Sequence, residues 1–244
     1  MHCKAMLRHA LKTFKPENIV LVSLDNDVEP KRFEYYQKEN RVIADDEYAT
    51  PLKELKIPAD FNEFTEEELI PFMSSFKTTA FLIPSFSNET FVNNFLRLLI
   101  IAKEARPVRV YGLPQWMNFK KADYNHFENL DVHVTSGNNH DFDSANAKNF
   151  KSSFYNRYGS LATEEAFLGH DVMLMAGQML SKHGNKFQTQ IEEEATTYIQ
   201  HDFDFRPKLR PQPDGAEVPP IVEQFENRKV YFLQFKNYHF NQVD

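Results

Sequence analysis

Glycine is scarce in this chain, with 7 among 244 residues. Gly112, Gly137, Gly159, Gly169, Gly177, Gly184 and Gly215 never fall close enough for a GxGxxG turn or a GxxxxGK loop. Those phosphate cradles need backbone amides presented without side chains, so nucleotide binding through either motif is excluded. Cysteine is scarcer still: Cys3 alone excludes an internal disulfide and any all-cysteine metal site. Long apolar runs are missing too, since the LLII run at 98–101 falls far short of the ~18 residues of a membrane span. The first residues carry Lys4, Arg8 and Lys12 but no apolar run of the ~7 to 15 residues a signal peptide needs. On that ground the sequence predicts either a cytosolic chain or a mature or truncated form. Basic residues are in deficit, 28 against 35 acids for a net charge of -7, which argues against a nucleic-acid or anionic-membrane footprint. Apolar residues are ample: 41% hydrophobic with 14% aromatic can bury a sizeable core.

Helical and strand patterns alternate along the first half. Met6, Leu7, Ala10, Leu11 and Phe14 share one helical face, and Pro16 ends it. NIVLVSL, Asn18 to Leu24, is a continuous apolar run of the kind expected for a strand covered on both faces. Asp25 to Asp27 make a turn, Pro30 opens a helix through Phe33 and Tyr36 to Asn40, and RVIAD is predicted to be extended, ahead of the Pro-bounded PLKELKIP. Thr65 with Glu68 forms a capping box that predicts a helix over 66–75. TAFLIP reads as a strand, Asn88 as the cap of a helix striped by Phe91, Phe95, Leu98, Leu99 and Ala102, and Val132 to Ser136 as a further strand after a helix near 121–129. Such alternation predicts an α/β fold with an open, mostly parallel sheet between helices.

Beyond Asn138 the pattern changes. Ser144 caps a predicted helix to Tyr158 with Gly159 as its stop, and EEAFLGHDVMLMAGQMLSKHG is a second helix, apolar nearly all round, that expects cover on several sides. Two strands, Tyr198 to Phe205 and Lys229 to Lys236, follow, joined by a loop holding Pro207, Pro211, Pro213, Pro219 and Pro220. The expected division is residues 1–140 as an α/β lobe and 141–244 as crossover helices with C-terminal strands, a helical and β-hairpin extension.

In an open α/β sheet, ligands collect outside the carboxyl ends of the strands. VRVYGLPQWMNF, Val108 to Phe119, ends a buried strand at Gly112 and places Gln115 and the only tryptophan, Trp116, in the loop beyond. Trp116 suits either a ligand platform or a lid over the sheet edge. Ser23 and Asp25 end the NIVLVSL strand, and Ser85, Ser87 and Asn88 follow TAFLIP at a helix N-terminus, where exposed amides can take an anion. Capping alone also explains Asn88 and Asp27. HDFD occurs twice, at His140 to Asp143 and His201 to Asp204, but in a strand His201 and Phe203 face away from Asp202 and Asp204, so metal binding is not predicted. His170 and Asp171 adjoin on a helix with no GxSxG nucleophile in the chain, which makes His170 a boundary residue rather than half of a catalytic pair.

NIVLVSLDND, TAFLIPSFSNETFVNNFL, VRVYGLPQWMNF, the FKSSFYNRYG helix before AFLGHDVMLMAGQML, and ENRKVYFLQF together resemble, in order and spacing, the type I periplasmic binding protein fold of the leucine/isoleucine/valine-binding group. Most of these pieces resemble that family's second lobe. The resemblance implies a three-layer open sheet with an incomplete first lobe, and a location in the periplasm or cell envelope. It further implies a non-enzymatic module without cofactor or metal, binding a small polar ligand that is amino-acid-like or a cell-wall (peptidoglycan) fragment. The family places an acid just after the strand matching Val108 to Gly112 to hold a ligand's amino group; Gln115 stands in that loop and cannot neutralise a buried ammonium. The GLPQW type of loop is also similar to that of envelope proteins associated with LysM modules. The alternative is a scaffold that has lost its ligand and docks a second copy, as a homodimer, or an envelope protein partner.

Overall fold

The computed structural model describes residues 1–25, 31–58, 60–61, 64–85, 88–138, 143–191, 196–210 and 221–243. It divides into two compact units, Met1–Ser136 with Phe232–Asp244, and Gly137–Tyr231. The first unit begins with α1 (His2–Thr13), then β1 (Ile19–Leu24), α2 (Lys31–Ala44), β2 (Lys53–Ile57), β3 (Thr79–Leu82), α3 (Glu89–Lys103), β4 (Val108–Gly112), α4 (Tyr124–Asn129) and β5 (Val132–Ser136). The second unit carries α5 (Ala145–Tyr158), α6 (Glu164–His183), β6 (Thr196–Thr197), β7 (Asp202–Phe203), β8 (Phe205–Leu209) and β9 (Val222–Asn227). The chain then returns to the first unit through β10 (Tyr231–Lys236) and β11 (His239–Gln242).

A seven-stranded sheet of order β11-β10-β5-β4-β3-β1-β2 forms the first unit. Its β1–β2, β1–β3, β3–β4 and β4–β5 pairs are parallel, and the β10–β11 hairpin is antiparallel. Side-chain alternation explains why the strands read as unbroken apolar runs. Ile19, Leu21, Ala80, Leu82 and Tyr111 pack on one face with Met6, Leu7 and Ala10 of α1 and Phe33 and Tyr36 of α2. Val20, Val22, Phe81, Ile83, Val110, Val132 and Val134 pack on the other with Phe91, Phe95 and Leu99 of α3 and Phe127 of α4. Three layers result, as the sequence predicts.

Local chemistry sets most element ends. Asn88 Oδ1 accepts from the Phe91 amide at 3.0 Å, Ser144 Oγ from the Ala147 amide at 3.2 Å, and Gly159 closes α5 at φ 68°. The Thr65 amide donates to Glu68 Oε2 at 2.8 Å, as the capping box requires, but the segment it starts is a 3-10 helix, Glu66–Phe72, rather than a longer α-helix. Pro71 lies inside it and supplies no amide donor. RVIAD is not extended: Arg41 to Ala44 continue α2. Asn40 and Ile43 prolong the stripe of Phe33 and Tyr36 against the sheet, and that packing overrides the β-branched preference of Val42 and Ile43. Pro207 does not lie in a loop but within β8, opposite Phe225 of β9. A two-stranded ribbon has an outer edge on which proline's missing donor goes unneeded.

In the second unit α6 lacks the cover expected of it. Phe167, Asp171 and Met179 are its buried positions, whereas Leu168, Met173, Leu174 and Leu180 are exposed.

Candidate functional site

The parallel strands of the first unit end together. Leu21 pairs with Leu82, Leu82 with Tyr111, and Gly112 with Val134, so β1, β3, β4 and β5 reach one edge at nearly the same level. Four polar side-chain atoms there are buried without a hydrogen-bond partner among the described residues: Ser23 Oγ, Ser85 Oγ, Gln115 Oε1 and Thr135 Oγ1. Each such group costs about 1–3 kcal/mol relative to a satisfied one. Native interiors hold few of them, and a cluster at one sheet edge calls for a functional explanation. Ser23 lies within β1, Ser85 three residues past β3 and Gln115 in the 3-10 helix Pro114–Asn118 that follows β4, and these three strands are adjacent in the sheet. Thr135 stands one strand further away.

The other expected site residues fare differently. Asp25 lies at the same edge, exposed, its amide donating to the Ile57 carbonyl at 2.7 Å. Asn88 is also exposed, with its side-chain oxygen committed to capping α3. Ser87 and Asp27 lie outside the described residues. Trp116 shows no accessible surface at all, which corrects any role as an open ligand platform. Its ring lies on Gly112, where an added Cβ would meet the indole at 2.4–2.7 Å, and its Nε1 donates to the Ser85 carbonyl at 3.2 Å. Phe119 and Phe127 flank it at centroid distances of 6.2 and 6.1 Å. The tryptophan is enclosed in the core beyond the end of β4. It fixes the Gln115 loop to the end of β3 and so holds Gln115 and Ser85 together.

Sequence reasoning missed Thr135 and Arg32. The Arg32 guanidinium donates to the Pro84 carbonyl, immediately before Ser85, and has no carboxylate partner among the described residues. One signal was available. Lys31 and Arg32 occupy the first turn of α2, where the helix dipole disfavours cations, and that cost needs an offsetting reason.

Two further polar clusters lie away from this edge. On the α1 face of the sheet, His9 Nδ1 is 3.2 Å from Tyr111 Oη and its ring stacks on Phe232 at 4.0 Å. Beside them Asp131 pairs with Arg109 at 2.5 Å and accepts from Gln234 at 2.6 Å. Burial pushes the His133 imidazole below its usual 6.5, with the Asp131 carbonyl pulling the other way. In the second unit Asp171 is fully buried and accepts from the amides of Ile199, Gln200 and His201 at 3.2, 2.9 and 3.1 Å. The Nδ1 atoms of His170 and His201 each lie 3.0 Å from it. Burial alone would push this carboxyl up, but the hydrogen bonds from Gln200, His170 and His201 outweigh it and hold the group below 3.8. Asp171 thus joins the HD pair of α6 to the second HDFD run as a structural clasp. No group of three or more His, Cys, Asp or Glu suited to a metal occurs among the described residues, and of the first HDFD run only Asp143 is described.

A mostly parallel sheet with helices on both faces defines a three-layer α/β class of fold. More narrowly, the chain has the type I periplasmic binding protein fold. It is similar to an ABC transporter substrate-binding protein from Desulfitobacterium hafniense in complex with leucine, with a TM-score of 0.57 and 14% identity over 99% of this chain and 65% of that one. A putative branched-chain amino acid ABC transporter protein from Rhodospirillum rubrum gives 0.60 and 12%, over 99% and 64%. An ABC transporter solute binding protein from R. palustris, in complex with 4-hydroxybenzoate, gives 0.50 and 11%, over 100% and 63%. The chain therefore spans less than two thirds of each of these proteins. No protein-family model and no curated protein sequence matches it. No helix among the described residues is long and apolar enough to cross a membrane.

Proposed function

We propose that this chain is a non-enzymatic, periplasmic-binding-protein-like module of a bacterial cell-envelope protein that binds a small polar ligand at the carboxyl edge of its seven-stranded sheet. One observation carries the reading: Ser23 Oγ, Ser85 Oγ and Gln115 Oε1, in or just after three adjacent strands, are buried without a partner among the described residues. A ligand that completes their hydrogen bonds recovers what the folded protein forgoes. The fold supports it, since neighbours of this fold hold leucine or 4-hydroxybenzoate. Asp25, Ser87 and Asn88 border the same edge in sequence, while Trp116 acts as its inner wall. The ligand in this reading is an amino-acid-like molecule or a cell-wall fragment.

Ser23→Ala and Ser85→Ala test this reading with paired readouts. Removing an unpartnered hydroxyl from a ligand site raises the melting temperature of the free protein and weakens binding in a calorimetric screen of amino acids, aromatic acids and muropeptides. A fall in melting temperature with no ligand detected for the parent would mark both serines as structural. The exposed apolar positions Met173, Leu174 and Leu180 of α6 favour a second reading, in which the chain docks a second copy of itself. Light scattering after size exclusion separates the two, because a strict monomer rejects the docking role.

A further inference from the structure

We propose that two copies of this chain join edge to edge through β2, continuing the seven-stranded sheet across a two-fold axis at Leu55. The proposal stands apart from the ligand reading, and it uses β2 rather than the apolar positions of α6.

β2 is the outermost strand of the sheet, bonded to β1 on one side only. Backbone groups of alternate residues in a strand point to opposite sides. The Ile57 carbonyl accepts from the Asp25 amide at 2.7 Å, so Leu55 and Ile57 turn their backbone groups toward β1. Leu52, just before β2, and Glu54 and Lys56 turn theirs outward. Gln37 of α2 bears this out: its side-chain amide takes both backbone groups of Leu52, at 3.0 and 2.9 Å, and Nε2 also reaches Glu54 Oε1 at 2.8 Å. The outward groups of Glu54 and Lys56 take no hydrogen bond from another described residue.

Such groups are a template for another strand. In an antiparallel ladder they bond only where outward residues of the two strands stand opposite each other. With Leu52 occupied by Gln37, the open groups allow Glu54 opposite its own copy, Lys56 opposite its own copy, or Glu54 opposite Lys56. The first two set like charges face to face, which is unfavourable. The third brings opposite charges together twice about Leu55, the self-complementary pattern that a two-fold axis requires. Lysine on an edge strand ordinarily discourages pairing. In this register it meets a carboxylate.

α2 repeats the pattern. Glu34, Gln37, Lys38 and Arg41 line one groove with Glu54 and Lys56, so they stand beside the edge that a second copy approaches. The same axis sets the two α2 helices antiparallel on one face of the joined sheet. Glu34 then faces Arg41 of the second copy, and Gln37 faces Lys38. Glu34, Lys38, Arg41 and Lys56 are exposed and make no ion pair among the described residues.

Sedimentation equilibrium of the full chain over a dilution series, with charge-reversal variants, tests this. The parent should dimerise reversibly, and more weakly as salt rises. Glu54→Lys and Lys56→Glu each set two like-charge pairs in the interface, and each should weaken dimerisation about ten-fold or more. Mixed in equal amounts, the two variants present only opposite charges to each other and should form a heterodimer as tight as the parent dimer. A misfolded variant cannot give that rescue. Met173→Ser on α6 should leave dimerisation unaltered. A parent that stays monomeric at the highest concentration, or a mixture no tighter than either variant alone, overturns the proposal. A dimer lost with Met173→Ser and kept by both charge reversals also overturns it and moves the second copy to α6. None of these results touches the ligand reading.

Discussion

Gly112 and Trp116 show how one residue can be required by another's volume. The indole occupies the space a Cβ at Gly112 would need, at separations no side chain tolerates, and the ring cannot yield because Phe119 and Phe127 hold it. Gly112→Ala should therefore cost about 1–3 kcal/mol by overpacking, and Trp116→Ala about 3–5 kcal/mol by leaving a cavity, both read from urea denaturation. His133 carries a pH dependence of its own. Its folded pKa lies below 6.5, so the unfolded chain binds the proton first as pH falls. Stability contributed at neutral pH is lost from about 6.5 downward until the folded-state value is passed. His133→Gln should flatten that part of a plot of melting temperature against pH between 8 and 5.

At the scale of elements, backbone conformations that the sequence does not advertise are held by side chains far away along the chain. The β10–β11 hairpin turns on Asn237 and Tyr238 at φ 55° and 62°, a conformation that costs a bulky residue about 1–3 kcal/mol. Glu128 of α4 offsets it by accepting from both amides, at 3.1 and 3.4 Å, and Tyr238 Oη donates to Asn125 at 2.7 Å. Glu128→Ala should open the turn, seen as faster hydrogen exchange at the amides of 237 and 238 with β1 to β4 unaffected.

Elements whose patterns are local were legible in the sequence. The strands at NIVLVSL, TAFLIP and VRVYG, and the caps at Asn88, Ser144 and Gly159, follow from periodicity and side-chain chemistry within a few residues. What escaped depends on contacts distant in sequence: α2 runs on through RVIAD because its stripe finds the sheet, and His201 finds Asp171 thirty residues before it. The candidate edge was legible by position, since Ser23 stands near the end of an apolar strand and Ser85 and Gln115 follow two others. That their polar atoms lack partners is a property of packing, and so is the enclosure of Trp116.

For the whole molecule, the first unit assembles a covered parallel sheet from Met1–Ser136 and closes it with a strand pair from the far end of the chain. Four of its buried polar atoms without a partner among the described residues lie at its carboxyl edge. A groove of about 610 Å³ between α2 and β2 is lined by Glu34, Gln37, Lys38, Arg41, Glu54 and Lys56, mixed in sign and open to water. Charge of both signs there suits water or a second copy of the chain, whereas unpartnered buried atoms suit a small ligand. A titration of the ¹⁵N-labelled chain with leucine and with 4-hydroxybenzoate, followed by amide and indole chemical shifts, separates these places most directly. The account predicts shifts centred on Ser23, Ser85, Gln115 and the Trp116 indole N–H, with the α2–β2 groove silent. Shifts confined to Gln37, Arg41 and Glu54, or absent from the sheet edge while binding occurs, would contradict it.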